Sequence, residues 1–272
     1  MSNEMNQESP TPLVLTELHE DGVAVLTLNN GKVNPLSVEL LNELQSAASQ
    51  LAANQQVRAV VIAGNERAFA AGADIAQFAE SEVGLSSPER IAQIGAAFLG
   101  ALNAVAALPC PTIASVSGVA LGGGCELALA CDFRVAGTKS RFGQPEILLG
   151  IIPGGGGTQR LSRLVGSSVA KELIFSGRMV QAEEALSIGL VNEIFEADQV
   201  LSGAMAMAQS FACGPRHALA LAKAAIDQGL EVSLDEGLLL EQALFVKSFT
   251  TPDAAVGVSS FLAAGPGHAD FS

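Results

Sequence analysis

Three consecutive glycines, Gly122, Gly123 and Gly124, stand between an apolar run of strand character (Thr112 to Ser117) and an Ala- and Leu-rich run of helix character (Cys125 to Cys131). Few sequence features restrict a fold as tightly. Without side chains, the turn lets another molecule lie against the main chain, and the first N–H groups of the following helix have no intrahelical partner. With the helix dipole behind them, they favour a negative charge, either a bound anion or an oxyanion formed during a reaction. Glu126 falls in the first turn of that helix, among residues too apolar for a solvated face. Alone, it reads as an acid complementing the helix N-terminus. A second acid, Glu146, closes the loop-like stretch Phe142-Gly-Gln-Pro-Glu146, where a solvated loop carboxylate is the ordinary reading. Two carboxylates near a candidate oxyanion site point to acid/base work on a carbonyl compound.

The rest of the chain reads as a frame for this stretch. Leu13 to Leu18 and Val23 to Leu28 are strand-like around a turn at His19 to Gly22, and predict a hairpin. Leu40, Leu41, Leu44, Ala48 and Leu51 recur at helical spacing behind Ser37, a candidate N-cap. Arg58 to Ala63 is a β-branched strand, so strand, helix and strand imply a crossover and a parallel sheet. Phe69 to Ile75 is a run of small residues suited to lying against a ligand. Ser81 to Ser87 reads as a flexible loop and Pro88 to Leu108 as a long helix. A short strand is expected near Leu190 to Ile194. From Ser167 onward the pattern is mostly helical, with Gly214-Pro215 separating two helices and Ser233 to Ser248 amphipathic. The expected organisation is α/β, with a flexible tail over 1–11, an α/β core over 12–200 and a helical region over 201–272.

Composition excludes several classes. A net charge of −14 argues against nucleic acid or an anionic membrane as partner. No apolar run reaches the length of a membrane span, and the polar N-terminus is unlike a secretory signal, so a soluble cytoplasmic protein is expected. Cys110, Cys125, Cys131 and Cys213 lack metal-binding spacing and read as buried free thiols, with no metal expected. The second glycine-rich loop, Gly150 to Arg160, has no lysine for a phosphate-cradling Gly-Lys-Ser/Thr ending, and does not follow the first strand as a dinucleotide fingerprint must. No Gly-x-Ser-x-Gly elbow suggests a serine hydrolase. Lys32, in the polar loop Asn29 to Pro35, is either a phosphate contact or an ordinary surface lysine.

Taken together, Ala68-Phe-Ala-Ala-Gly-Ala-Asp-Ile75, Gly122-Gly-Gly-Cys-Glu126, Phe142-Gly-Gln-Pro-Glu146 and Pro153-Gly-Gly-Gly-Gly-Thr-Gln-Arg160 resemble the enoyl-CoA hydratase/isomerase (crotonase) superfamily, from about Leu13 to near the C-terminus. The resemblance implies a crotonase-like spiral of ββα units, with a C-terminal helical region used in trimer formation and commonly a hexamer. It implies an acyl-CoA substrate, with coenzyme A part of that substrate and no separate cofactor. The N–H groups of Ala73 and Gly123 would hold the thioester oxygen. Glu126 and Glu146 would be the catalytic acids, in an order the sequence leaves open. Ala71, Gly72, Asp74 and Ile75 would face the coenzyme, Gly154 would lie beside the second glutamate, and Lys32 and Arg67 are candidates for the phosphates. Ala76 stands where many relatives have a lysine. Hydration of a 2-enoyl-CoA is the reading that two carboxylates favour; the rivals are a double-bond isomerase or other crotonase-type enolate chemistry, and a non-catalytic trimeric scaffold or binding protein. Fatty-acid β-oxidation is one of several pathways that use such chemistry.

Overall fold

The computed structural model describes residues 11–81 and 84–271. The expected tail therefore lies almost wholly outside the described residues, as does the centre of the expected loop over 81–87.

The chain opens with the hairpin β1 (Val14–Leu18) and β2 (Val23–Leu28), followed by α1 (Val38–Ala53), β3 (Ala59–Ala63) and β4 (Ala68–Ala70). A short 3-10 turn (Ile75–Phe78), β5 (Ala79–Ser81) and β6 (Gly84–Leu85) lead into α2 (Pro88–Ala106). Next come β7 (Thr112–Val116), β8 (Val119–Leu121), α3 (Gly123–Ala130), β9 (Phe133–Gly137) and β10 (Arg141–Gly143). A second 3-10 turn (Pro145–Leu149) precedes α4 (Gly157–Val165), α5 (Ser167–Ser176), β11 (Met179–Gln181), α6 (Ala182–Ser187) and β12 (Glu193–Phe195). The chain ends in α7 (Val200–Ala212), α8 (Arg216–Gly229), α9 (Leu234–Ser248) and α10 (Pro252–Ala264).

The larger sheet has the order β1-β2-β3-β7-β9-β12. Only β1 is antiparallel to its neighbour; the pairs from β2 to β12 are parallel. Strand periodicity divides its side chains between two cores. Leu26, Val60, Ile62, Ala114 and Val116 face one core with α1 and α2, while Val23, Val25, Ala59, Val61 and Ile113 face the other. On that second face α7 presents Val200, Ala204, Ala208 and Ala212, a small-residue stripe at a spacing of four that lets the helix approach closely. A second sheet, β11-β10-β8-β4, is built from three-residue strands. It sets β4, β8 and β10 side by side, and so brings the segments after each of them to one place.

Most elements fall where the residue pattern puts them. Ser37 caps α1 by accepting the Leu40 N–H at 3.2 Å, and Ser233 and Glu236 form a capping box on α9. Three expected elements are corrected. Phe142 to Glu146 is not a loop but the end of β10 running into a 3-10 turn, because Arg141 to Gly143 find partners on both β8 and β11. In the span Ser81 to Ser87, the described residues include strand positions of a two-stranded ribbon of β5 and β6 rather than loop alone. The strand expected near Leu190 to Ile194 lies at Glu193–Phe195, where pairing with β9 selects the register. The expectation of buried free thiols is met by Cys110, Cys125 and Cys131 and corrected for Cys213, which is exposed.

Candidate active site

Gly122 ends β8 with φ +50° and ψ −123°, and α3 begins at the next residue with no side-chain cap. A Cβ at Gly122 would lie 2.9 Å from Glu146 Oε1, so both the backbone angle and the space require glycine. Gly123 contributes the first N–H of α3, which the helix leaves without an intrahelical partner. The stretch after β4 passes beside this turn. There the Leu36 N–H donates to Gly72 C=O (2.8 Å) and the Asp74 N–H to Leu36 C=O (3.1 Å). Because Gly72 and Asp74 spend these groups on Leu36, the intervening Ala73 turns its own N–H to the opposite side. Asp74 accepts the Ala76 N–H and caps the 3-10 turn, while Ile75 is exposed.

Glu126 is 2% exposed. Its Oε1 accepts the N–H groups of Gly155 and Gly157, both at 2.7 Å, which places the carboxyl at the N-terminus of α4. Gly155 is required for this approach, since a Cβ there would stand 2.7 Å from Glu126 Oε2. Burial pushes the Glu126 carboxyl above the usual range, while the two N–H donors and then the charge of Arg160 pull it back. Glu146 is half-buried at the start of the second 3-10 turn. Burial, with repulsion from Glu126 as a smaller cause, pushes its carboxyl up to about 7. The two glutamates are thus neighbours in space, and Gly154 lies exposed in the loop before Gly155 with open space around its Cβ direction.

Gln144 has no role in the sequence reading. It is 1% exposed, and with its amide nitrogen turned to the carboxylate it donates to both oxygens of Glu146 at 3.2 Å. Its position two residues before an acid is the only sequence signal, and a weak one. Arg160, the last residue of the Pro153 to Arg160 stretch and without a role assigned from sequence, donates to Gly155 C=O (3.0 Å) and to Asn103 Oδ1 on α2 (2.7 Å).

A cavity of about 650 Å³ is lined by Lys32, Asn65, Glu66, Arg67, Ser117 and Asp198 among others, and by neither Glu126 nor Glu146. Asn65 builds it: its Nδ2 donates to Gly31 C=O (3.1 Å), and its Oδ1 accepts the Arg67 and Ala68 N–H groups (2.9 and 3.1 Å). The structure therefore does bring Lys32 and Arg67 to one cleft, in company with two carboxylates. Arg67 at the edge of that cleft leads directly into β4, which Asn34 fixes by donating to Ala68 and Phe69 C=O at 3.2 Å each.

A model of the enoyl-CoA hydratase/isomerase family matches residues 19–268. The chain belongs to that family. Among relatives, the 2,3-dehydroadipyl-CoA hydratase of Escherichia coli is 43% identical, with 88% of this chain and 92% of that protein covered. The short-chain-enoyl-CoA hydratase of Clostridium acetobutylicum is 39% identical over 89% of this chain and 92% of its own. Among solved structures, the enoyl-CoA hydratase of Bacillus anthracis superposes with a TM-score of 0.87 at 37% identity, covering 92% of this chain and 96% of that one. The fold expected from the motifs, a crotonase-like α/β arrangement, is the fold observed. In this family member no helix among the described residues is long and apolar enough to cross a membrane.

Proposed function

We propose that the chain is an enoyl-CoA hydratase, adding water across the 2,3 double bond of a 2-enoyl-CoA to give the 3-hydroxyacyl-CoA. The observation that carries this reading is the pair of carboxyls with opposed surroundings. Glu126 accepts two short N–H bonds, which favour its ionised, acceptor-only form. Glu146, raised to about 7, holds a proton near neutral pH. In the proposed reaction Glu126 takes a proton from water as its oxygen bonds to C3. The C2–C3 π electrons move to C2 and the thioester oxygen, and Glu146 delivers its proton to C2. The developing oxyanion falls to the N–H groups of Ala73 and Gly123; one such donor is worth about 3 kcal/mol in the transition state. A pair this close titrates jointly, so the roles describe the working protonation state of the pair.

The coenzyme would lie along Ala71, Gly72, Asp74 and Ile75, with its phosphates toward the cleft of Lys32 and Arg67. No separate cofactor or metal enters this scheme. The helices α8, α9 and α10 contain no buried residue and expose Ile226, Leu230, Leu234, Leu239, Phe245 and Leu262. Exposed apolar side chains in this number are what subunit contact covers, and a homotrimer, or a hexamer of two trimers, is the assembly proposed.

The test is loss of enoyl-thioester absorbance when the purified chain meets crotonyl-CoA, with the product identified by mass. Formation of 3-hydroxybutyryl-CoA supports the reading. Binding of the ester without water addition refutes it.

A further inference from the structure

Arg160 is a cation in the first turn of α4, the end of a helix where a positive charge is unfavourable. It is also partly desolvated, which lowers its pKa from the ordinary guanidinium value. Neither cost is offset by a carboxylate salt bridge: its hydrogen bonds go to Gly155 C=O and Asn103 Oδ1. What lies at the same helix end is Glu126, on the N–H groups of Gly155 and Gly157. Gly155 is thereby held from two sides, its N–H by the catalytic carboxyl and its C=O by the guanidinium. Asn103 anchors the second guanidinium nitrogen to α2.

We infer that Arg160 is the positioning residue that keeps Glu126 the ionised member of the carboxyl pair, through its charge and its grip on Gly155, without touching substrate. The inference rests on the hydratase reading. The surroundings of Glu126 leave few other candidates for the task. Glu146, when ionised, faces it with the same sign of charge. The neighbouring Cys125 thiol is pushed up to about 12 by burial and stays neutral. The adjoining strands β4 and β8 carry no ionisable side chain. α2 supplies the uncharged Asn103 and Leu102. Arg163, also on α4, is turned to Gln159 and lies 4.0 Å from Glu231.

The experiment is the pH profile of kcat/KM for crotonyl-CoA hydration by the full chain and by Arg160→Gln, Arg160→Lys and Asn103→Ala. Removing the charge raises the affinity of Glu126 for its proton. The acidic limb of Arg160→Gln should therefore move to higher pH, and its deficit at about pH 6 should exceed that at about pH 8 by roughly fivefold or more. KM should stay near that of the unaltered protein, because the guanidinium is engaged with Gly155 C=O and Asn103 Oδ1 inside the protein. Arg160→Lys should keep the limb in place with a uniform loss of a few-fold, since it retains the charge but not the fork. Asn103→Ala, which also keeps the charge, should leave the limb unmoved. An Arg160→Gln profile parallel to that of the unaltered protein would mark Arg160 as loop structure only and overturn the inference. If Arg160→Gln does not fold, Arg160→Met, which also removes the charge, is read in its place: a limb at higher pH supports the inference, and a profile parallel to that of the unaltered protein overturns it. An unaltered protein with no hydration at any pH would instead remove the hydratase reading and this inference with it.

Discussion

Replacing Glu146 with glutamine should make the protein more stable at alkaline pH and nearly inactive. The folded chain holds the Glu146 carboxyl at about 7 against an ordinary 4.5. Between those values the folded state binds more protons than the unfolded one, so stability falls as pH rises through the interval, and the full cost is present above it. At about 1.4 kcal/mol per pH unit, the separation is worth about 3 kcal/mol; water reaching the half-buried carboxyl reduces it to about 2 kcal/mol. Glutamine is neutral throughout and also removes the repulsion with Glu126. For a chain of this size, about 2 kcal/mol raises Tm by about 5 °C. Calorimetry of both proteins should therefore show coincident Tm values near about pH 4.5 and a separation that grows to its plateau by about pH 8. Over the same range Glu146→Gln should lose hydration by about a thousandfold, as removal of a general acid does. A Tm difference independent of pH, or a variant less stable at pH 8, would refute the assignment of a buried, proton-binding carboxyl at this position.

Glu126→Gln should cost about 10²- to 10⁴-fold in kcat with crotonyl-CoA; a rate within tenfold of the unaltered protein would remove the proposed base. Gly155→Ala forces a methyl group to within 2.7 Å of Glu126 Oε2. It should lower kcat while circular dichroism stays unchanged, and an unaffected kcat would show that the carboxyl tolerates displacement. Leu239→Glu, on the exposed face of α9, should shift sedimentation toward the monomer. An unchanged oligomer would place the subunit contact elsewhere.

Much of the frame is legible from local pattern. The apolar, β-branched runs Val23 to Leu28 and Arg58 to Ala63, the Ser37 cap, and Pro88 at the start of α2 each act over a few residues, so the sequence displays them directly. The misread segments depend on distant partners. Phe142 looks like loop until β8 and β11 flank it, and a three-residue strand has too little pattern to announce itself.

The same division runs through the site. The triple glycine, the first-turn Glu126 and the motif order were sufficient to name a family and two acids, because glycine and carboxylate chemistry is carried by residue type. What the residues could not state is the environment of each acid. Glu126 meets its N–H donors 29 and 31 residues further along the chain, and Arg160 finds Asn103 on α2, 57 residues before it. Burial and hydrogen bonding set proton affinity, and both are properties of the folded surroundings. Sequence alone therefore supplied two carboxyls and the glycines around them, and tertiary structure decided their unequal surroundings: two N–H donors and the charge of Arg160 oppose the effect of burial on Glu126, while burial dominates at Glu146.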